Sequence, residues 1–199
     1  MKPRPLFPRA AALRGRALLL AGLLGLAAAS AQQPPQQQLC VACHGPQGNS
    51  LNPQIPSLAG QPRTFLENQL VLIREGLRDI PPMKGVLDGL TDADLIVLAQ
   101  YYAAQPVRPP SGPADAARVA RGKALAHGML CGTCHLPDYS GRDQIPRLAG
   151  QHERFLREVM EEYRDRPGPG RDTVMTNALL GLKNEHLDDL AHFLAHFGQ

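Results

Sequence analysis

The sequence of 199 residues contains no tryptophan, and four tyrosines with five phenylalanines hold the aromatic share to 5%. A chain with so few large side chains has little from which to build a core, and something besides its own rings is expected to fill the interior. Nowhere is there an apolar run of the about 20 residues that a membrane-spanning helix needs; residues 17–29 give thirteen. No stretch sustains a period-two alternation of polar and apolar residues, so extended sheet is not expected. No cysteine lies outside two five-residue motifs. With 43% apolar and 20% charged residues, the chain fits neither a disordered polymer nor a multi-span membrane protein. Its 19 prolines exclude long uninterrupted helices and leave short ones.

The formal charge of +3 suggests an anionic partner until its distribution along the chain is considered. Lys2, Arg4, Arg9, Arg14 and Arg16 precede the apolar run with no acidic residue among them, and Ala29-Ser30-Ala31 offers small residues for cleavage. These parts read as a secretory signal over residues 1–31, with neither an adjacent arginine pair nor a lipid-bearing cysteine at its end. Without those five basic residues, 16 basic residues face 18 acidic ones. The exported chain is mildly acidic, so nucleic acid loses its electrostatic rationale, and the expected location is the periplasm. Residues 32–38 form a Gln/Pro leader, expected to be flexible.

Compared with itself at an offset near ninety residues, the chain repeats. Cys40-Val41-Ala42-Cys43-His44 returns as Cys131-Gly132-Thr133-Cys134-His135, and Ile55-Pro56-Ser57-Leu58-Ala59-Gly60-Gln61 as Ile145-Pro146-Arg147-Leu148-Ala149-Gly150-Gln151. The stripe Phe65, Leu66, Gln69, Leu70, Ile73 returns as Phe155, Leu156, Val159, Met160, Tyr163. Leu95, Leu98 and Tyr102 return as Leu187, Leu190 and Leu194. Two homologous domains follow, 32–106 and 107–199, joined by the proline-rich linker 105–113. Pro62 and Gly76 bracket a helix over about 62–75, and Thr91 with Asp94 forms a capping box for another ending near Ala104. Residues 114–127 predict a helix with Gly128 as its stop. The first unit has only the Gln/Pro leader in that place and is expected to lack this helix. The fold class is all-α.

Within each Cys-x-x-Cys-His motif the cysteines lie on one face of a helical turn, so both thiols can add to the two vinyl groups of one haem. The adjoining histidine is then held beneath the iron. This reading makes Cys40, Cys43, Cys131 and Cys134 the attachment residues and His44 and His135 the proximal ligands. Zinc would need two such pairs separated by about 15 to 20 residues; 87 separate Cys43 from Cys131. A thioredoxin-like pair belongs near a βαβ pattern, and disulfides would leave the histidines and the duplication unexplained. Two porphyrins would also supply the missing core.

A second axial ligand is available as Met83, 39 residues after His44, and as Met175, 40 residues after His135. Met160 competes, but it takes the place of Leu70 on the repeated stripe, where core packing suits it. Met129, two residues before Cys131, lies on the histidine side. Pro56 and Pro146 either shape a turn or offer their carbonyls to the second ring N–H of the histidines; spacing alone leaves both open. His192 and His196, one helical turn apart, read as a solvated helix face in preference to a metal site. His152 and His186 carry no convincing context.

From about residue 39 to residue 197 the chain resembles the two-haem cytochrome c4 family, on CVACHGPQGNS, the paired IPSLAGQ and IPRLAGQ segments, the methionine loops and the helices around Leu95 and Leu187. The short start before Cys40 departs from that family's pattern. The resemblance implies two cytochrome c-like domains related by a pseudo-twofold axis, each around a covalent haem c, with propionates directed towards the interface. It implies His44/Met83 and His135/Met175 ligation, with the Pro56 and Pro146 carbonyls on the histidines. It further implies a periplasmic electron carrier serving a terminal oxidase. The expected partners are a quinol-cytochrome c reductase as donor and a haem-copper oxidase as acceptor, docked transiently over a small area, with at most peripheral membrane association. Saturated irons leave no open site, so no enzymatic activity is expected. One rival is the cytochrome subunit of a periplasmic dehydrogenase oxidising a sulfur compound or an alcohol. The other is a di-haem peroxidase, which would need an accessible distal position.

Overall fold

Capping residues and apolar stripes place short helices along both copies of the repeat. The computed structural model describes Met1 and residues 37–110 and 112–198. The expected signal, Met1 aside, and the leader as far as residue 36 lie outside the described residues, as does the question of a helix ahead of residue 37. The first half holds α1 (Gln37–His44), α2 (Arg63–Arg74) and α3 (Asp92–Ala103). The second holds α4 (Ala116–Gly128), α5 (Cys131–His135), α6 (Glu153–Asp165), α7 (Thr173–Leu179) and α8 (Asn184–Ala195). Among the described residues there is no strand, only an isolated bridge between Arg142 and Ile145.

The expected cap of α3 is present. The Thr91 hydroxyl accepts the Asp94 N–H at 3.3 Å while the Asp94 carboxylate accepts the Thr91 N–H at 2.8 Å, which starts α3. Asp115 starts α4 by accepting the N–H groups of Ala117 and Arg118 at 2.9 and 3.1 Å. Two expectations need correction. Gln37 and Gln38 are helical, and Gln37 is only 7% exposed because its amide is anchored on the Tyr101 hydroxyl of α3. Gly128 does not stop α4: the helix runs through it to a cap at Met129, and the left-handed residue that reverses the chain is Leu130, at φ 59°.

Each half has its own small core. α2 and α3 bring together Leu66, Leu95, Leu98, Ala99 and Tyr102, joined by Leu87 and Leu90. In the second half Leu156, Met160, Leu179, Leu187, Leu190 and Phe193 are prominent in the core, so Met160 fills the packing role its stripe predicts. Here α4 crosses α8 so closely that a Cβ on Gly122 would strike the Asp189 carbonyl and Phe193 Cβ. The linker is pinned by Asn49, whose amide donates to the Pro106 carbonyl at 3.1 Å and accepts the Arg108 N–H at 2.8 Å.

Candidate haem sites

α1 and α5 carry the two Cys-x-x-Cys-His motifs and end in the same left-handed turn, at Gly45 (φ 73°) and Leu136 (φ 68°). At the first, a Cβ would run into the Asn49 carbonyl, so only glycine fits. The thiols of Cys40 and Cys131 are half-buried, and burial pushes both up, keeping them protonated. Cys43 and Cys134 are exposed, and none of the four is in a disulfide.

His44 and His135 are buried, at 8% and 7% exposure. His44 Nδ1 lies 2.8 Å from the Pro56 carbonyl and His135 Nδ1 lies 2.9 Å from the Pro146 carbonyl. A carbonyl oxygen only accepts, so Nδ1 carries the hydrogen and the lone pair is left on Nε2, for which no hydrogen-bond partner exists among the described residues. Burial lowers the pKa of both rings against a smaller opposing effect of the proline carbonyls, and the neutral ligand form is favoured. The structure therefore places the two prolines as acceptors, the alternative that spacing left open.

Met83 ends a 3₁₀ turn, Pro81–Met83, and packs half-buried on the first core together with Cys40. Met175 sits in the first turn of α7, its N–H bound by Asp172 at 2.9 Å, and packs on the second core together with Cys131. Tyr102 is 2% exposed. Among the described residues its hydroxyl has no hydrogen-bond partner of good geometry, although the Cys40 thiol lies near it, and burial pushes the phenol strongly up. In each half a cysteine and a methionine packed on one apolar core, with a buried histidine four residues after that cysteine, are donor types that fit a covalently held haem.

The seam between the halves holds residues that the sequence did not single out. The Gln61 side chain accepts the Arg147 N–H at 2.9 Å and donates to the Arg147 carbonyl at 3.0 Å. Gln151 does the same to Ser57, at 2.9 Å for both bonds. His152 Nε2 lies 2.9 Å from the Ser50 carbonyl, and Phe155 N–H donates to Pro53 at 3.0 Å. The signal was present in the repeat, since both LAGQ segments end in these glutamines. Arg147, 5% exposed, also crosses the seam, donating to Ala59 at 3.0 Å.

His192 is not on a solvated face. It is 4% exposed, its Nδ1 donates to Glu153 at 2.7 Å and its Nε2 accepts the Asp115 N–H at 2.9 Å. Although Glu153, His192 and His196 stand close enough to suggest a metal site, both His192 nitrogens are engaged, and the ring ties the start of α4 to α6.

Residues 119–197 match the family described as Cytochrome c, and residues 28–101 match Cytochrome C oxidase, cbb3-type, subunit III. The chain is 34% identical over 200 aligned positions to cytochrome c4 of Azotobacter vinelandii, covering 89% of this chain and 94% of that one. It is 31% identical to the thiosulfate dehydrogenase electron acceptor of Thiomonas intermedia, covering 83% and 81%. The structure of reduced recombinant cytochrome c4 from Pseudomonas stutzeri superposes with a TM-score of 0.75 at 31% identity, over 81% of this chain and 96% of that one.

Proposed function

The chain belongs to the cytochrome c4 family of di-haem electron carriers, and from that premise we propose that it shuttles single electrons through the periplasm from a quinol-oxidising complex to a terminal oxidase. Two covalent haem c groups, one for each Cys-x-x-Cys-His motif, supply a one-electron iron couple each. Cys40 and Cys43, and Cys131 and Cys134, tether them. His44 and His135 present Nε2, and Met83 and Met175 present neutral thioethers, which favour ferrous iron and raise the potential relative to two histidines. Residues 1–31 direct export, and domains 32–106 and 107–199 meet over the linker 105–113. Among the described residues no helix is long and apolar enough to cross a membrane; membrane association would be peripheral.

The observation that carries this reading is the paired donor set. In both halves a buried histidine is held with its lone pair on Nε2 while a methionine packs on the same small core as an attachment cysteine. With both axial positions taken, nothing remains for a substrate, and catalysis is not proposed. A second reading, the electron acceptor of a periplasmic dehydrogenase, is favoured by the name of the Thiomonas relative. Mixing the reduced protein with oxidase-containing membranes tests the first: rapid reoxidation coupled to oxygen uptake is expected. Failure of that reaction, with a dehydrogenase co-purifying in fixed stoichiometry from native periplasm, would establish the second.

A further inference from the structure

A single peptide unit in each half touches both the haem histidine and a buried side chain of the other half. The Pro56–Ser57 unit accepts His44 Nδ1–H on its oxygen at 2.8 Å and donates its own N–H to Gln151 Oε1 at 2.9 Å. The Pro146–Arg147 unit accepts His135 Nδ1–H at 2.9 Å and donates to Gln61 Oε1 at 2.9 Å. Gln61 and Gln151 are 5% and 2% exposed, so water does not compete for these bonds.

We propose that Gln151 and Gln61 are positioning residues that act in trans, each tuning the axial histidine of the opposite half through the peptide unit between them. Hydrogen bonds in a chain polarise one another. An amide whose N–H is bound carries more negative charge on its oxygen, so Gln151 makes the Pro56 carbonyl a stronger acceptor. That carbonyl draws on His44 Nδ1–H and makes the ring more basic at Nε2, as outer partners of ligating histidines do. A more basic imidazole stabilises ferric over ferrous iron and lowers the potential. The wiring is crossed: a side chain of the second half sets the electron donation of the first, and the reverse. The inference rests on His44 and His135 being the axial ligands.

The test uses the haem-loaded protein with the near-isosteric Gln151→Met and Gln61→Met. Potentials come from spectroelectrochemical titration, with each couple assigned by the ring-proton resonances of His44 and His135. Gln151→Met is expected to raise the potential of the first-half couple and shift the His44 Nδ1–H resonance, leaving the second-half couple in place; Gln61→Met does the reverse. Gln151→Glu, which keeps an acceptor oxygen, does not raise the first-half potential. Shifts confined to the mutated half, equal shifts of both couples, or no shift would overturn the proposal. Failure of the ligand assignment itself is distinguishable, because ring protons of His44 and His135 would then lack haem ring-current shifts in the reduced wild type.

Discussion

Gly48 and Tyr139 occupy the same place in the two halves, 91 residues apart, and each carbonyl accepts two N–H groups from the following loop. Gly48 takes those of Leu58 and Ala59 at 2.7 and 3.1 Å, and Tyr139 those of Leu148 and Ala149 at 2.9 and 3.2 Å. Both have positive φ, 74° and 54°. A Cβ on Gly48 would strike the ring of Tyr102 at 2.6 Å, whereas Tyr102 is replaced in the repeat by the smaller Leu194. Size has been traded between the two positions, with tyrosine at 139 where the first half has Gly48 and leucine at 194 where it has Tyr102. Tyr102→Leu is therefore expected to cost about 2 kcal/mol as a cavity, and Gly48→Tyr alone to destabilise by overpacking. The double variant should recover much of both losses in a double-mutant cycle read by denaturant unfolding. Independent, additive losses would refute the exchange. The two Cys-x-x-Cys-His motifs were legible because haem attachment fixes their residue types and spacing. Gln61 and Gln151 were visible in the repeated LAGQ segments, but their partners, like that of His152, lie across a seam that local pattern does not describe.

Among elements, the α4–α8 crossing is tightest at Gly122. Gly122→Ala would improve helix propensity by about 1 kcal/mol, but its methyl would meet the Asp189 carbonyl and Phe193 Cβ. Overpacking of about 1–3 kcal/mol wins, so thermal melting of the variant should fall below wild type. The same crossing holds a bidentate pair, Arg121 to Asp189 at 2.6 and 2.8 Å. The Arg121 hydrogen bonds hold the Asp189 carboxyl below the usual carboxylate range. A depressed folded-state pKa stabilises above the unfolded value, about 3.9, and the contribution is lost as pH falls through the folded value. Asp189→Asn should melt lower than wild type at pH 7, with the difference closing as pH falls through the folded-state value. A difference unchanged by pH would contradict the ion-pair account. The start of α3 was readable from Thr91 and Asp94, since side-chain caps are local. The end of α4 was read to within a residue, but the left-handed reversal falls on Leu130, a residue with no turn signature.

At the scale of the molecule, the two cores are small and the aromatic share is 5%. Halves of this size are marginal on their own surface burial, and a tethered porphyrin adds the apolar area that the side chains lack. A haem-free form with all four cysteines replaced by serine should therefore show reduced helical circular dichroism and no cooperative melt; a sharp transition would mean the side-chain cores suffice. The duplication was visible as a ninety-residue offset, but the reciprocal glutamine clasp that joins the halves appears only in three dimensions. The central claim, two irons each closed by a histidine and a methionine, is tested most directly by the methionine–iron charge-transfer band of the oxidised haem-loaded protein. Met83→Ala and Met175→Ala should each remove part of that band, and the double variant should abolish it. An unchanged band in either single variant would contradict the account.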